Sequence, residues 1–129
     1  MPFNFDSARP LYTQLVEHLT RQIAAREWPP GARLPSVREL AADMGVNPNT
    51  MQRALAELER QALVHAERTA GRFVTEDGGR IAATRAALAA GHIRAFAAEM
   101  AALGYTRAEL LAALTELPDP IQPEEDAHG

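Results

Sequence analysis

Leu11, Leu15, Val16, Leu19 and Ile23 recur at the spacing of one helix face, so the first element predicted is an amphipathic helix with Pro10 in its opening turn. Residues 1–9 before it read as extended and mobile. Trp28-Pro29-Pro30-Gly31 is a double breaker that stops the helix. Arg33-Leu34-Pro35 is a short extended stretch, followed by Ser36-Val37-Arg38-Glu39, a capping box in which Ser36 caps a helix start and Glu39 reaches back. That second helix is expected to run to about Met44, burying Val37, Leu40, Ala41 and Met44, with Gly45 free to take the positive φ that ends it. Val46 packs inward, Asn47 caps a third helix with Pro48 in its first position, and Met51, Leu55 and Leu58 form its buried stripe. The third helix is expected to end near Arg60.

The period then changes. Leu63-Val64-His65-Ala66-Glu67 and Arg72-Phe73-Val74-Thr75 are short strand-like runs around Thr69-Ala70-Gly71, which predicts a β-hairpin. From about Gly79 to Leu103 the pattern is helical again, with Ile81, Leu88, Ile93, Phe96, Met100 and Leu103 as its large apolar positions, and Gly104 ends it. Thr106-Arg107-Ala108-Glu109 is a second capping box, opening a last helix with Leu110, Leu111, Leu114 and Leu117. Residues 118–129 are Pro-rich and acidic and read as a disordered tail. The expected organisation is residues 1–76 as one domain, 77–117 as a helical region and 118–129 as the tail. The fold class is mainly α with a small β-hairpin.

Composition narrows the function. The chain has 129 residues, 47% of them hydrophobic, which allows one small domain and an appendage. It has no cysteine, so disulfides and thiolate metal sites are excluded. The first ten residues lack a basic start followed by an apolar run, so no signal peptide is expected, and no run of 18 apolar residues suggests a membrane span. A cytoplasmic location is the expectation. The net charge of −4 argues at first against nucleic acid. Its distribution changes that: nine Arg stand against eight Asp and Glu through Val74, and four against nine afterwards. All 13 basic residues are Arg, a side chain suited to bidentate phosphate and guanine contacts, although a GC-rich genome would favour the same choice. The histidines at 18, 65, 92 and 128 have no metal-ligand spacing, and no catalytic constellation or phosphate-cradling loop is present. Neither an enzyme nor a cofactor is expected.

Two short helices joined by a tight turn, the second opening with Asn47, Asn49, Thr50, Gln52 and Arg53, concentrate hydrogen-bonding side chains where a helix N-terminus meets base edges. Helix, helix-turn-helix and hairpin is the order of a winged helix. The particular residues resemble the GntR family of bacterial transcription regulators. The match runs through Pro10-Leu11-Tyr12-Thr13-Gln14, Pro30 to Ala41, Gly45-Val46-Asn47-Pro48-Asn49-Thr50, Leu58-Glu59 and Gly71-Arg72-Phe73-Val74. Only about 55 residues follow the hairpin, too few for the family's large effector domains, and two helices there resemble the YtrA-type subfamily. That resemblance implies a winged helix-turn-helix followed by a two-helix dimerisation region, and a gene often placed beside transporter genes. Two positions depart from the family pattern. Arg26 stands where Gly usually stops the first helix, and Arg68-Thr69-Ala70-Gly71 lacks the first wing glycine. The first departure suggests a differently built turn, the second a wing whose backbone stays further from the minor groove.

Several candidate sites follow. The resemblance implies that Arg38 contacts phosphate or a base near the centre of a half-site; a surface ion pair with Asp43 or Glu39 is the alternative. Arg33 and Ser36, at the start of the second helix, are placed for phosphate. Asn47 is explained by capping alone and also stands where DNA would pass. Asn49, Thr50 and Gln52 point outward if Met51 and Leu55 point in, and Arg53 reaches phosphate or guanine; a solvated face is the alternative for all four. Arg68, Thr69, Gly71 and Arg72 form the wing, where Arg in a narrow minor groove is physically reasonable. Tyr12 and Trp28 are assigned to packing. Ile81, Leu88, Ile93, Phe96, Met100, Leu103, Leu110, Leu114 and Leu117 are the expected dimerisation surface. The expected partners are double-stranded DNA and a second copy of the chain; with no separate ligand domain, an effector of unknown identity would have to enter the dimer seam or lie between wing and helices. The expected function is a homodimeric repressor on an inverted-repeat operator, for instance of a transporter operon. The rival from another class is a winged-helix module that binds protein.

Overall fold

The computed structural model describes residues 4–119. Its elements are α1 (Leu11–Ala24), α2 (Val37–Met44), α3 (Pro48–Arg60), β1 (Val64–Glu67), β2 (Gly71–Val74), α4 (Gly78–Ala102) and α5 (Arg107–Glu116). The strands pair antiparallel, with Val64 opposite Val74 and Glu67 opposite Gly71. This is the mainly α, hairpin-bearing architecture predicted from the periodicity. The chain forms two compact units, Met1–Ala89 and Ala90–Gly129. The division falls inside α4.

The first unit is built on α1 against α3. Leu15, Leu19 and Ile23 meet Met51, Leu55 and Leu58, and all six are essentially solvent-free. Leu40 and Met44 of α2, Leu63, and Val64 and Val74 of the hairpin close the same core. Each such side chain contributes roughly 1.5–3 kcal/mol when fully buried. Ile81 also belongs here, at 1% exposure, which corrects its assignment to the dimerisation surface. Asp77 Oδ1 accepts from the Arg80 backbone N–H at 3.0 Å and caps the start of α4, whose Ile81 joins this core. The sequence pattern placed Ile81 on the same helix as Leu88 and Ile93 and could not separate their environments.

Local chemistry sets the element ends. Both capping boxes form, Ser36 with Glu39 and Thr106 with Glu109. Gly45 ends α2 at φ 71. Arg26 follows α1 at φ 62, so the turn keeps its left-handed residue without the glycine. The residues before α1 are not simply extended. Gln14, 5% exposed, donates to the carbonyls of Asp6 and Arg9 and accepts from the Asp6 backbone N–H, holding a turn over Asp6–Arg9. Residues 31–34 run antiparallel to β2: Leu34 N–H donates to Arg72 C=O at 2.9 Å and Val74 N–H to Ala32 C=O at 2.8 Å.

In the second unit, the end of α4 and α5 are joined at Gly104, φ 91. None of the α5 residues is buried, and Ile93, Leu103, Leu111 and Leu117 are 65%, 73%, 56% and 59% exposed. Ile93, Phe96, Met100, Tyr105, Leu110 and Leu114 line an open apolar groove of about 520 Å³. The tail expected from residue 118 lies, from Pro120 on, outside the described residues.

Candidate nucleic-acid interface

Two helix starts carry most of the candidate residues. At α2 the Ser36 hydroxyl accepts from Glu39 N–H at 3.1 Å, and Glu39 Oε1 accepts from Ser36 N–H at 2.9 Å. These bonds to Ser36, the backbone one first, hold the Glu39 carboxyl below its usual range. With Glu39 so engaged, Arg38 is exposed and has no ion pair among the described residues; neither Asp43 nor Glu39 takes it. It is therefore a cation at a helix N-terminus, where backbone N–H groups also favour an anion.

At α3 the Asn47 carbonyl oxygen accepts from Asn49 N–H at 2.7 Å, so the side chain is a cap. Burial of Met51, Ala54, Leu55 and Leu58 turns Asn49, Gln52 and Arg53 outward. Thr50 is only half-exposed, at the edge of the buried stripe. Arg53 does not extend freely: its guanidinium carbon lies 4.5 Å from the centre of the Tyr12 ring. Tyr12 packs on the core and also fixes this cation, a second role that sequence reasoning missed. The contact joins residues 41 positions apart, and nothing local signals it. Further along α3, hydrogen bonds from Arg60 and then Gln61 lower the Glu57 carboxyl to about 2.

The wing divides its cations by face. Arg68 and Thr69 are exposed at the tip. Gly71 has φ 100, and a Cβ there would stand 3.2 Å from Arg33 Nε. Arg33 thus lies across the wing, on the face where His65 and Phe73 stack at 5.8 Å. Arg72, the other expected wing contact, donates from Nε to Glu59 Oε2 at 2.5 Å. Among the described residues no group of His, Cys, Asp or Glu could hold a metal, and no helix is long and apolar enough to cross a membrane.

A helix-turn-helix whose second helix presents Asn49, Gln52 and Arg53, flanked by an exposed Arg38 and a basic wing, defines a winged-helix DNA-binding protein. The profile of bacterial regulatory proteins of the gntR family matches residues 11–74. Over 111 residues the chain is 35% identical to the uncharacterized HTH-type transcriptional regulator YhcF of Bacillus subtilis, spanning 86% of this chain and 92% of that one. The protein belongs to the GntR family and is a DNA-binding transcriptional regulator, not an enzyme. A GntR family regulator from Listeria monocytogenes superposes with a TM-score of 0.82 at 35% identity, covering 88% of this chain and all of its own. The DNA-binding domain of AraR in complex with operator ORE1 superposes with a TM-score of 0.50 at 26% identity, covering 58% of this chain and 94% of that domain.

Proposed function

We propose that the protein is a homodimeric repressor that binds an inverted-repeat operator, each protomer laying α3 in the major groove of one half-site. The observation that carries this reading is the exposed N-terminal end of α3, with Asn49, Gln52 and Arg53 outward, beside the exposed Arg38 at the start of α2. Asn and Gln pair bidentately with adenine, and each good pair discriminates by about 1–3 kcal/mol. Arg33, Ser36, Asn47, Thr50 and the wing tip at Arg68 and Thr69 add phosphate and minor-groove contacts. One such helix reads too few bases for a useful operator, so two copies are required. The second unit supports that requirement: α5 buries none of its leucines, and the groove between it and α4 is apolar. A second copy is what would cover it. Repression follows from occupying a promoter. A transporter operon is the proposed target.

The test is fluorescence anisotropy with the purified protein and DNA from upstream of its own gene, against a scrambled duplex, at about 150 mM salt. Sequence-selective binding of two protomers per site is expected. Equal, weak binding to both duplexes would count against an autoregulated operator. No binding even at low salt would overturn the reading in favour of a protein-binding winged helix.

A further inference from the structure

We infer that Arg72 is a positioning residue of the wing, which acts on DNA through Arg68 and Thr69 and does not touch DNA itself. The inference rests on the DNA-binding reading above and concerns how the wing is held. Side chains alternate along a strand, so Arg72 shares the face of Val74, which is fully buried in the core. That face looks onto α3, and there the Arg72 Nε donates to Glu59 in the last turn of the recognition helix. The two side chains are only 20% and 32% exposed, so this pair is better shielded from solvent than an ordinary surface pair. The Arg72 carbonyl meanwhile accepts from Leu34 N–H at 2.9 Å. One residue thus ties β2 to α3 through its side chain and to the 31–34 segment through its backbone.

The opposite face carries the outward cation. Arg33 crosses over Gly71, whose missing Cβ leaves room for the guanidinium. The tip lacks the first wing glycine and has Thr69-Ala70 ahead of Gly71, so it must meet the minor groove with the Arg68 side chain and not with bare backbone. A side-chain contact of that kind depends on the pitch of the hairpin relative to α3, and the Arg72–Glu59 pair is the polar strut that sets it.

The full-length protein, titrated by anisotropy against the duplex of the preceding experiment, provides the test. Arg72→Gln and Glu59→Gln are each expected to weaken binding by roughly five- to tenfold, although Glu59→Gln removes a negative charge near DNA. In an Arg68→Ala/Thr69→Ala background, Arg72→Gln is expected to cost less than about twofold, because residues acting as one unit are not additive. Arg72→Lys, which keeps a cation for Glu59, is expected to retain most of the affinity. Tighter binding by Glu59→Gln would overturn the inference, as would an equal loss from Arg72→Gln in both backgrounds, which is the signature of a direct phosphate contact. If Arg72→Gln lowers the melting temperature too far to be titrated, Glu59→Gln, which keeps every cation, decides by the sign of its effect. A wild-type protein that binds neither duplex even at low salt overturns the DNA reading and the strut together; a wild type that binds, with an unaffected Glu59→Gln, overturns the strut alone.

Discussion

Arg26 and Ala62 both sit at φ 62, where Cβ crowds the following carbonyl at a cost of roughly 1–2 kcal/mol. Arg26 occupies the turn after α1 without contributing to the core, so replacing it relieves strain and loses no packing. Arg26→Gly is expected to stabilise the protein by about 1 kcal/mol, read as a higher urea midpoint at unchanged slope. Asn47 separates two roles in one residue. Asn47→Ala removes the cap on Asn49 N–H and should cost about 1 kcal/mol of stability. Asn47→Asp keeps that cap and is expected to leave the urea midpoint within about 0.5 kcal/mol of wild type while weakening DNA binding, because a carboxylate then faces phosphate. Equal DNA affinity for Asn47→Asp and wild type would assign Asn47 to capping alone. The capping role was legible in the sequence because it involves residues two apart; the Arg53–Tyr12 and Arg72–Glu59 contacts were not.

Helix ends also set the acid response. The Glu39 carboxyl is lowered by its bonds to Ser36, and Glu57 is brought to about 2 by Arg60 and Gln61. A carboxyl depressed in the folded state contributes stability that is fully present above its ordinary value of 4.5 and is lost as pH falls through its folded value. The winged helix is therefore expected to lose stability between about pH 4.5 and pH 2, and Glu57→Gln to flatten that slope in urea titrations run at several pH values. A slope unchanged by Glu57→Gln would place the acid sensitivity elsewhere. Both capping boxes and the Gly45 stop were readable directly, since each is a short-range pattern. The turn held by Gln14 was not, because its partners Asp6 and Arg9 lie eight and five residues away in a segment with no periodicity.

The two units are expected to respond differently to loss of apolar side chains. Leu15 is solvent-free in the α1–α3 core, so Leu15→Ala should cost about 2–5 kcal/mol and lower the melting temperature steeply. Phe96 lines the open groove and is 40% exposed, so Phe96→Arg is expected to leave the winged helix folded. It should convert the proposed dimer to a monomer in sedimentation equilibrium and abolish two-protomer operator binding. A Phe96→Arg protein that remains dimeric would remove this groove from the seam. Leu88, half-buried, and Ile81, buried in the first unit, show why a single apolar stripe along α4 does not translate into a single surface.

The sequence alone determined the order and type of elements, the caps, the core stripes of α1 to α3 and the helix-turn-helix that faces outward. Those features rest on periodicity and on interactions within a few residues, which a linear pattern contains in full. Only the tertiary structure decided where each face points relative to a neighbour. It moved Ile81 into the core, placed the unit boundary within α4, laid Arg53 on Tyr12 and paired Arg72 with Glu59. The parity of Arg72 with Val74 was present in the strand pattern, but it has meaning only once α3 is known to lie beneath that face. Burial and ion pairing depend on what a distant segment brings alongside.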